Sequence, residues 1–221
     1  YSNTFRCEFV FDDAHDVVAN FSIRRLRPIS HVLLVQTGGK THVHSRPVVN
    51  LSFALNYAVG KLNPLSFHVT NLVIHVLGAL ALFGIARRTF TLPSLAERYA
   101  AVATPLALVI AAAWALHPLQ TQAVTYVTQR YESLMGMFYL LSCYCAIRCG
   151  TSSHGRWWAA ASVAACLLSM GSKEVAVSIP LVILLYDRAF MAGSFTEAWR
   201  RRWGFCVALG ATWIAMGLHL H

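Results

Sequence analysis

Six mostly apolar stretches, at about 66–86, 100–116, 133–148, 157–171, 175–190 and 204–221, occupy nearly half of the chain. A helix that crosses a membrane needs roughly 17 to 25 mainly apolar residues, so several of these must extend into their polar flanks. Backbone N–H and C=O groups inside hydrocarbon have to be satisfied within the segment itself. The sequence therefore predicts an all-α, polytopic integral membrane helix bundle of about six spans. Only 12% of the residues are charged, where soluble domains carry about 25%. The chain opens on Tyr1 and has no charged, short-apolar, small-residue leader. It reads as a fragment whose upstream span is missing.

The net charge of +9 would point to nucleic acid in a soluble domain, but its distribution points elsewhere. Nine arginines, at positions 87, 88, 98, 148, 156, 188, 200, 201 and 202, fall in three short stretches between apolar segments, against Glu97, Asp187 and Glu197. That is the positive-inside pattern. Placing 87–99, 149–156 and 187–203 in the cytoplasm puts 1–65, 117–132 and 172–174 on the opposite side, and the topology alternates without conflict. Two regions follow: an external or lumenal loop over 1–65 and a transmembrane bundle over 66–221.

Within the first region, apolar residues recur from Val48 to Leu62 in a pattern that suits a helix lying in the membrane surface. Gly38 and Gly39 mark a turn, and Pro64 ends the helical pattern before the first span. Six cysteines form no CxxC pair and read as small buried residues. Asn20-Phe-Ser22 and Asn50-Leu-Ser52 fit the N-glycosylation pattern, a short motif that recurs by chance.

Polar residues gather on the external side, next to the predicted spans: Asp12, Asp13, Arg46, His117, Gln122, Arg130, Glu132, Lys173 and Glu174. Ionisable groups at helix ends cost a few kcal/mol unless paired or hydrated. An outward-facing active site offsets that cost, and so do simple helix ends at the water interface. His42 and His44 form an HxH pair without a third ligand at a recognisable spacing. Asn71, His75 and Asp187 are the notable polar residues inside spans, too few for the polar path of a transporter.

Five blocks in order, FVFDD, RPVVNLSFALNY (46–57), FHVTNLVIH (67–75), HPLQTQAVTYVTQR (117–130) and SKE (172–174) followed by LLYD (184–187), give the chain its resemblance. It is similar over nearly its whole length to the transmembrane O-mannosyltransferases that carry tetratricopeptide repeats, and to their bacterial relatives, within the C-type superfamily of polytopic glycosyltransferases. The resemblance implies a polyprenyl- or dolichyl-phosphate-linked sugar as donor, a hydroxyl acceptor on protein Ser or Thr, and acidic residues in the first external loop. It also implies a repeat array beyond the chain. Asp12 and Asp13 fall in the loop that the arginines alone place outside.

Transfer by single displacement needs a carboxylate to take the hydroxyl proton as the anomeric carbon is attacked. One of Asp12 and Asp13 would serve, with a slight preference for Asp13; the other would orient it or bind a divalent cation such as Mg or Mn. The leaving phosphate needs cations, for which Arg46, Arg130 and Lys173 are candidates, with His117 and Glu174 near the donor. Structural ion pairs or lipid contacts are alternatives for each cation, and a helix-start role for His117. The family pattern has Glu where this chain has Gln122, which leaves open a catalytically inactive membrane anchor. Abundant arginine and alanine resemble a bacterial inner-membrane protein; the reticulum membrane fits the same topology.

Overall fold

The computed structural model describes residues 1–34 and 46–220. Gly38, Gly39, His42 and His44, on which a turn and a histidine pair were expected, lie outside the described residues. Ten α-helices and several shorter turns make up the rest, with no strand among the described residues. After α1 (Ser30–Leu33), α2 (Pro47–Gly60) is the helix expected over 48–62. Its buried face is Val49, Asn50, Phe53 and Ala54. Lys61, at φ 53°, ends it. Pro64 does not merely stop a helix: Asn63 accepts from the Leu65 N–H and Pro64 opens α3 (Pro64–Phe90), as proline favours the first helical position, where its missing N–H costs nothing.

The bundle then runs through α4 (Pro93–Tyr99), α5 (Ala103–Ala115), α6 (Thr121–Thr125), α7 (Arg130–Thr151), α8 (Gly155–Met170), α9 (Ile179–Tyr186) and α10 (Phe195–Leu220). Helices α3 and α7 run side by side in the same direction: Asn71 meets Arg130, Gly78 meets Met137 and Gly84 meets Tyr144. A Cβ on Gly84 would lie 2.7 Å from the Tyr144 ring. Helices α7 and α8 form an antiparallel hairpin laced by serines, Ser142 Oγ donating to Ser162 O and Ser162 Oγ to Ser142 O, each at 2.9 Å, with Ser169 Oγ donating to Met135 O. Small and hydroxyl residues let membrane helices approach closely, which is the reason for serine here.

Among the described residues four segments, not six, are long and apolar enough to cross a membrane: Pro64–Phe90, Pro93–Ala115, Arg130–Thr151 and Glu174–Ala192. Helix α8 has 16 residues, about 24 Å at 1.5 Å per residue, short of a hydrocarbon core of roughly 30 Å. Helix α10 opens with Glu197 and three arginines and breaks at Arg202, where φ is −137°. The serine register nevertheless returns the end of α8 to the start of α7, so Lys173 meets Glu132.

The molecule has two chemically distinct ends. At one, Arg88 stacks on Tyr144, Arg148 on Trp158, and Arg202 pairs with Asp187. At the other stand residues 1–34, α2, the 117–130 connection and Lys173. One core cluster, built on Val17, Ile23, Val49, Phe53, Phe67, Val127 and Leu134, welds the first region to the starts of α3 and α7.

Candidate functional site

The seven residues 126–132 join every part of the polar end. The Tyr126 hydroxyl accepts from the Asp12 N–H at 2.9 Å. Thr128 donates from its N–H, at 2.8 Å, and from its hydroxyl to Asp13 Oδ1. Arg130 reaches α2 and α3. The Tyr131 ring lies under the Arg46 guanidinium at 4.3 Å and near Lys173 Nζ at 5.3 Å. Glu132 accepts the bond from Lys173.

The two aspartates have opposite surroundings. Asp13 is 1% exposed; its Oδ1 takes both Thr128 donors and its Oδ2 takes the Val10 N–H at 3.1 Å. A buried carboxylate so supplied is an anchor for the loop. Asp12 is exposed, and its carboxylate reaches the Tyr126 hydroxyl. Burial first, then that carboxylate, hold the Tyr126 phenol above its ordinary value of 10.0, partly countered by the bond from the Asp12 N–H. The chain turns sharply to present Asp12: the Asp13 and Ala14 N–H groups bond back to Val10 O and Phe11 O. Phe11 is held at φ 45° with its side chain 85% exposed. A bulky residue there costs of order 1–3 kcal/mol, and such strain concentrates at functional sites.

Arg130, expected to grip phosphate, points inward instead and is 0% exposed. Its Nε donates to Asn71 Oδ1 at 2.7 Å, one terminal nitrogen to Asn56 Oδ1, and the other to Phe67 O at 2.9 Å, while the Phe53 and Phe67 rings both pack against the guanidinium. Every nitrogen is committed to the protein, so Arg130 ties α2 to α3. Asn71 serves that network, His75 stacks on Trp114 and bonds Ala115 O, and Asp187 pairs with Arg202. The polar residues within the spans are thus accounted for by packing.

Of the three candidate cations Arg46 and Lys173 remain. Arg46 is half-buried, and its Nε is buried with no hydrogen-bond partner among the described residues. His117 is exposed and its Nδ1 accepts from the Leu119 N–H at 3.2 Å, starting the Pro118–Gln120 turn. Glu174 is half-buried beside Lys173, and Gln122 is exposed one turn before Tyr126. The donor set suits a resident divalent cation poorly. Both oxygens of Asp13 are taken up by protein donors, and no three His, Cys, Asp or Glu side chains converge among the described residues.

Asn20 and Asn50, in the two glycosylation-like triplets, are 4% and 0% exposed and bond each other at 3.0 Å. Of the six free cysteines Cys145 and Cys166 are buried as expected, Cys143, Cys149 and Cys206 are half-buried, and Cys7 is exposed. Sequence reasoning does not single out Tyr126, Thr128 or Tyr131. Tyr126 and Thr128 stand inside the block 117–130, where hydroxyl side chains at 125, 126 and 128 interrupt an otherwise apolar run.

An all-helical integral membrane protein with a carboxylate displayed at one polar end is the class that these features define. Comparison with known proteins carries the assignment further. The chain is 30% identical over 197 residues to protein O-mannosyl-transferase TMTC2 of Mus musculus and of Homo sapiens, with 85% of the chain and 22% of each relative covered. It is 30% identical over 228 residues to Tmtc2 of Drosophila melanogaster, covering 96% of the chain and 22% of the relative. The chain is thus a homologue of the proteins named protein O-mannosyl-transferases, as its five sequence blocks implied. It spans about a fifth of the length of these relatives. No family model matches it, and no solved structure does.

Proposed function

We propose that this chain is the part of a membrane glycosyltransferase that transfers a hexose, mannose by analogy with the names of its relatives, from a polyprenyl- or dolichyl-phosphate donor to a protein hydroxyl. In this reading Asp12 is the general base. It takes the proton from the acceptor hydroxyl while that oxygen bonds to the anomeric carbon; the bond from that carbon to the phosphate oxygen breaks, and the lipid phosphate leaves with the electron pair. Arg46 and Lys173 are the cations for the leaving phosphate. Asp13, Thr128 and Tyr126 are positioning residues that hold Asp12 in place, and Arg130 fixes α2 against α3.

The observation that carries this reading is the contrast within the pair: of two adjacent carboxylates, one is consumed by three protein donors and the other is left exposed on an anchored, strained turn. The arginines of the opposite end favour a cytoplasmic location for it, and hence a lumenal or external site. Animal relatives weigh for the endoplasmic reticulum membrane over a bacterial inner membrane.

The test is transfer of labelled mannose from dolichyl-phosphate mannose by the full-length protein in membranes, comparing wild type with Asp12→Asn. The expected loss is about 10²- to 10⁴-fold, as for removal of a general base. Undiminished transfer by Asp12→Asn ends the assignment of the base. Absence of transfer by the wild type from several polyprenyl-phosphate sugars favours the anchor reading, for which the observation is Gln122. Gln122→Glu is then the deciding variant.

A further inference from the structure

The arginine-rich end holds a groove of about 590 Å³ between α3 and α7, in the range of ligand-holding cavities. Its walls are Leu77, Leu80, Phe83, Met137 and Leu141, and it ends on Arg87 and Arg88. Leu77 and Leu80 are 48% and 58% exposed. An apolar trough closed by two cations is what a lipid with an anionic head requires.

The basic end has further structure. Because Gly84 carries no Cβ, the Tyr144 ring packs against α3. Its hydroxyl accepts from Arg88 Nε at 3.4 Å, and the ring lies under the guanidinium at 5.4 Å. This orients Arg88 and leaves its two terminal nitrogens, a fork that suits phosphate oxygens. One turn further along α7, Arg148 stacks on Trp158, whose ring meets Tyr144 edge-on. None of the ion pairs among the described residues involves Arg87, Arg88 or Arg148.

The geometry points to a binding site for an anionic phospholipid, one acyl chain in the α3/α7 groove and the phosphate on Arg87 and Arg88, at the end of the molecule opposite the transfer site. Basic pockets between membrane helices on the cytoplasmic side bind anionic head groups, and that leaflet is where anionic lipids concentrate. The charge of the groove's end selects phosphatidylserine-like lipids over zwitterionic ones, and its apolar walls select a lipid over a soluble phosphate.

Native mass spectrometry of the full-length protein, with phosphatidylserine and phosphatidylcholine of identical acyl chains at equal concentration, tests this. Wild type retains phosphatidylserine preferentially. Arg87→Ala/Arg88→Ala weakens retention about 30-fold, the product of roughly 1 kcal/mol for each basic residue. Leu80→Trp fills the trough with both arginines in place and also abolishes retention; size-exclusion profile and melting temperature show that each variant is folded. Equal retention of the two lipids by wild type overturns the site, as does undiminished retention in both variants. Retention sensitive to the arginines but not to Leu80→Trp overturns the groove and reduces the effect to surface charge.

Discussion

Replacing each aspartate in turn separates an anchor from a displayed base, because the two side chains share a sequence position to within one residue and differ in everything else. Asp13→Ala leaves the Thr128 and Val10 N–H groups without acceptors, and an unsatisfied buried donor costs about 1–3 kcal/mol. The Thr128 hydroxyl can rotate to another partner and the Val10 N–H, on a residue 46% exposed, can reach water, so the buried Thr128 amide sets the loss at about 2 kcal/mol, roughly 5 °C in melting temperature for a chain of this size. Asp13→Asn keeps an oxygen toward Thr128 but turns an NH₂ onto the half-exposed Val10 N–H, and loses about 1 kcal/mol. Asp12→Asn changes an exposed group whose backbone bond to Tyr126 survives, with an effect within about 0.5 kcal/mol. Thermal unfolding of the full-length protein in detergent, followed by size-exclusion and tryptophan fluorescence, reads this order directly. If Asp12→Asn unfolds as early as Asp13→Asn, or if Asp13→Ala is silent, the distinction between the carboxylates is refuted.

Arg130→Ala leaves the buried acceptors of Asn71, Asn56 and Phe67 unpaired, at about 1–3 kcal/mol each; unchanged melting with weakened donor binding would instead restore it as a phosphate ligand. Arg46→Ala and Lys173→Ala are expected to raise the apparent KM for the lipid donor about tenfold each, the equivalent of about 1.4 kcal/mol, and unaltered donor saturation curves would remove both from the phosphate site. The Tyr126 phenol, raised above 10.0 in the folded chain, favours its protonated form there. Its contribution to stability is present below pH ~10 and fades as pH rises through the folded value; a pH–melting profile of Tyr126→Phe should lack that alkaline decline. Asn20 and Asn50 bond each other inside the fold, so endoglycosidase should leave the electrophoretic mobility of the mature protein unchanged at these two sites.

Hydropathy and arginine spacing made the helical class and the two-ended charge pattern legible, since each depends on residues that are neighbours in sequence. The start of α3 at Asn63-Pro64 is as local a signal, yet Pro64 was expected only to end a helical pattern. The count of spans is less local. An apolar stretch such as 157–171 looks the same whether it crosses a bilayer alone or lies shortened against α7, and the 16-residue length of α8 in the fold distinguishes the two.

The candidate site divides along the same line. The sequence determined by itself that the chain is a membrane helix bundle, that its polar chemistry collects at one end, and that a pair of carboxylates stands in the first loop. Which carboxylate is free, and which of three cations faces inward, was decided by partners far away along the chain. Thr128 and Tyr126 are 115 and 114 residues from the aspartates that they hold, and Asn56 and Phe67 are 74 and 63 from Arg130. Adjacent aspartates have the same local signature. Their difference arises because folding spends the hydrogen-bonding capacity of one on three protein donors and leaves the other exposed beside the Tyr126 hydroxyl, and only the tertiary structure makes that choice.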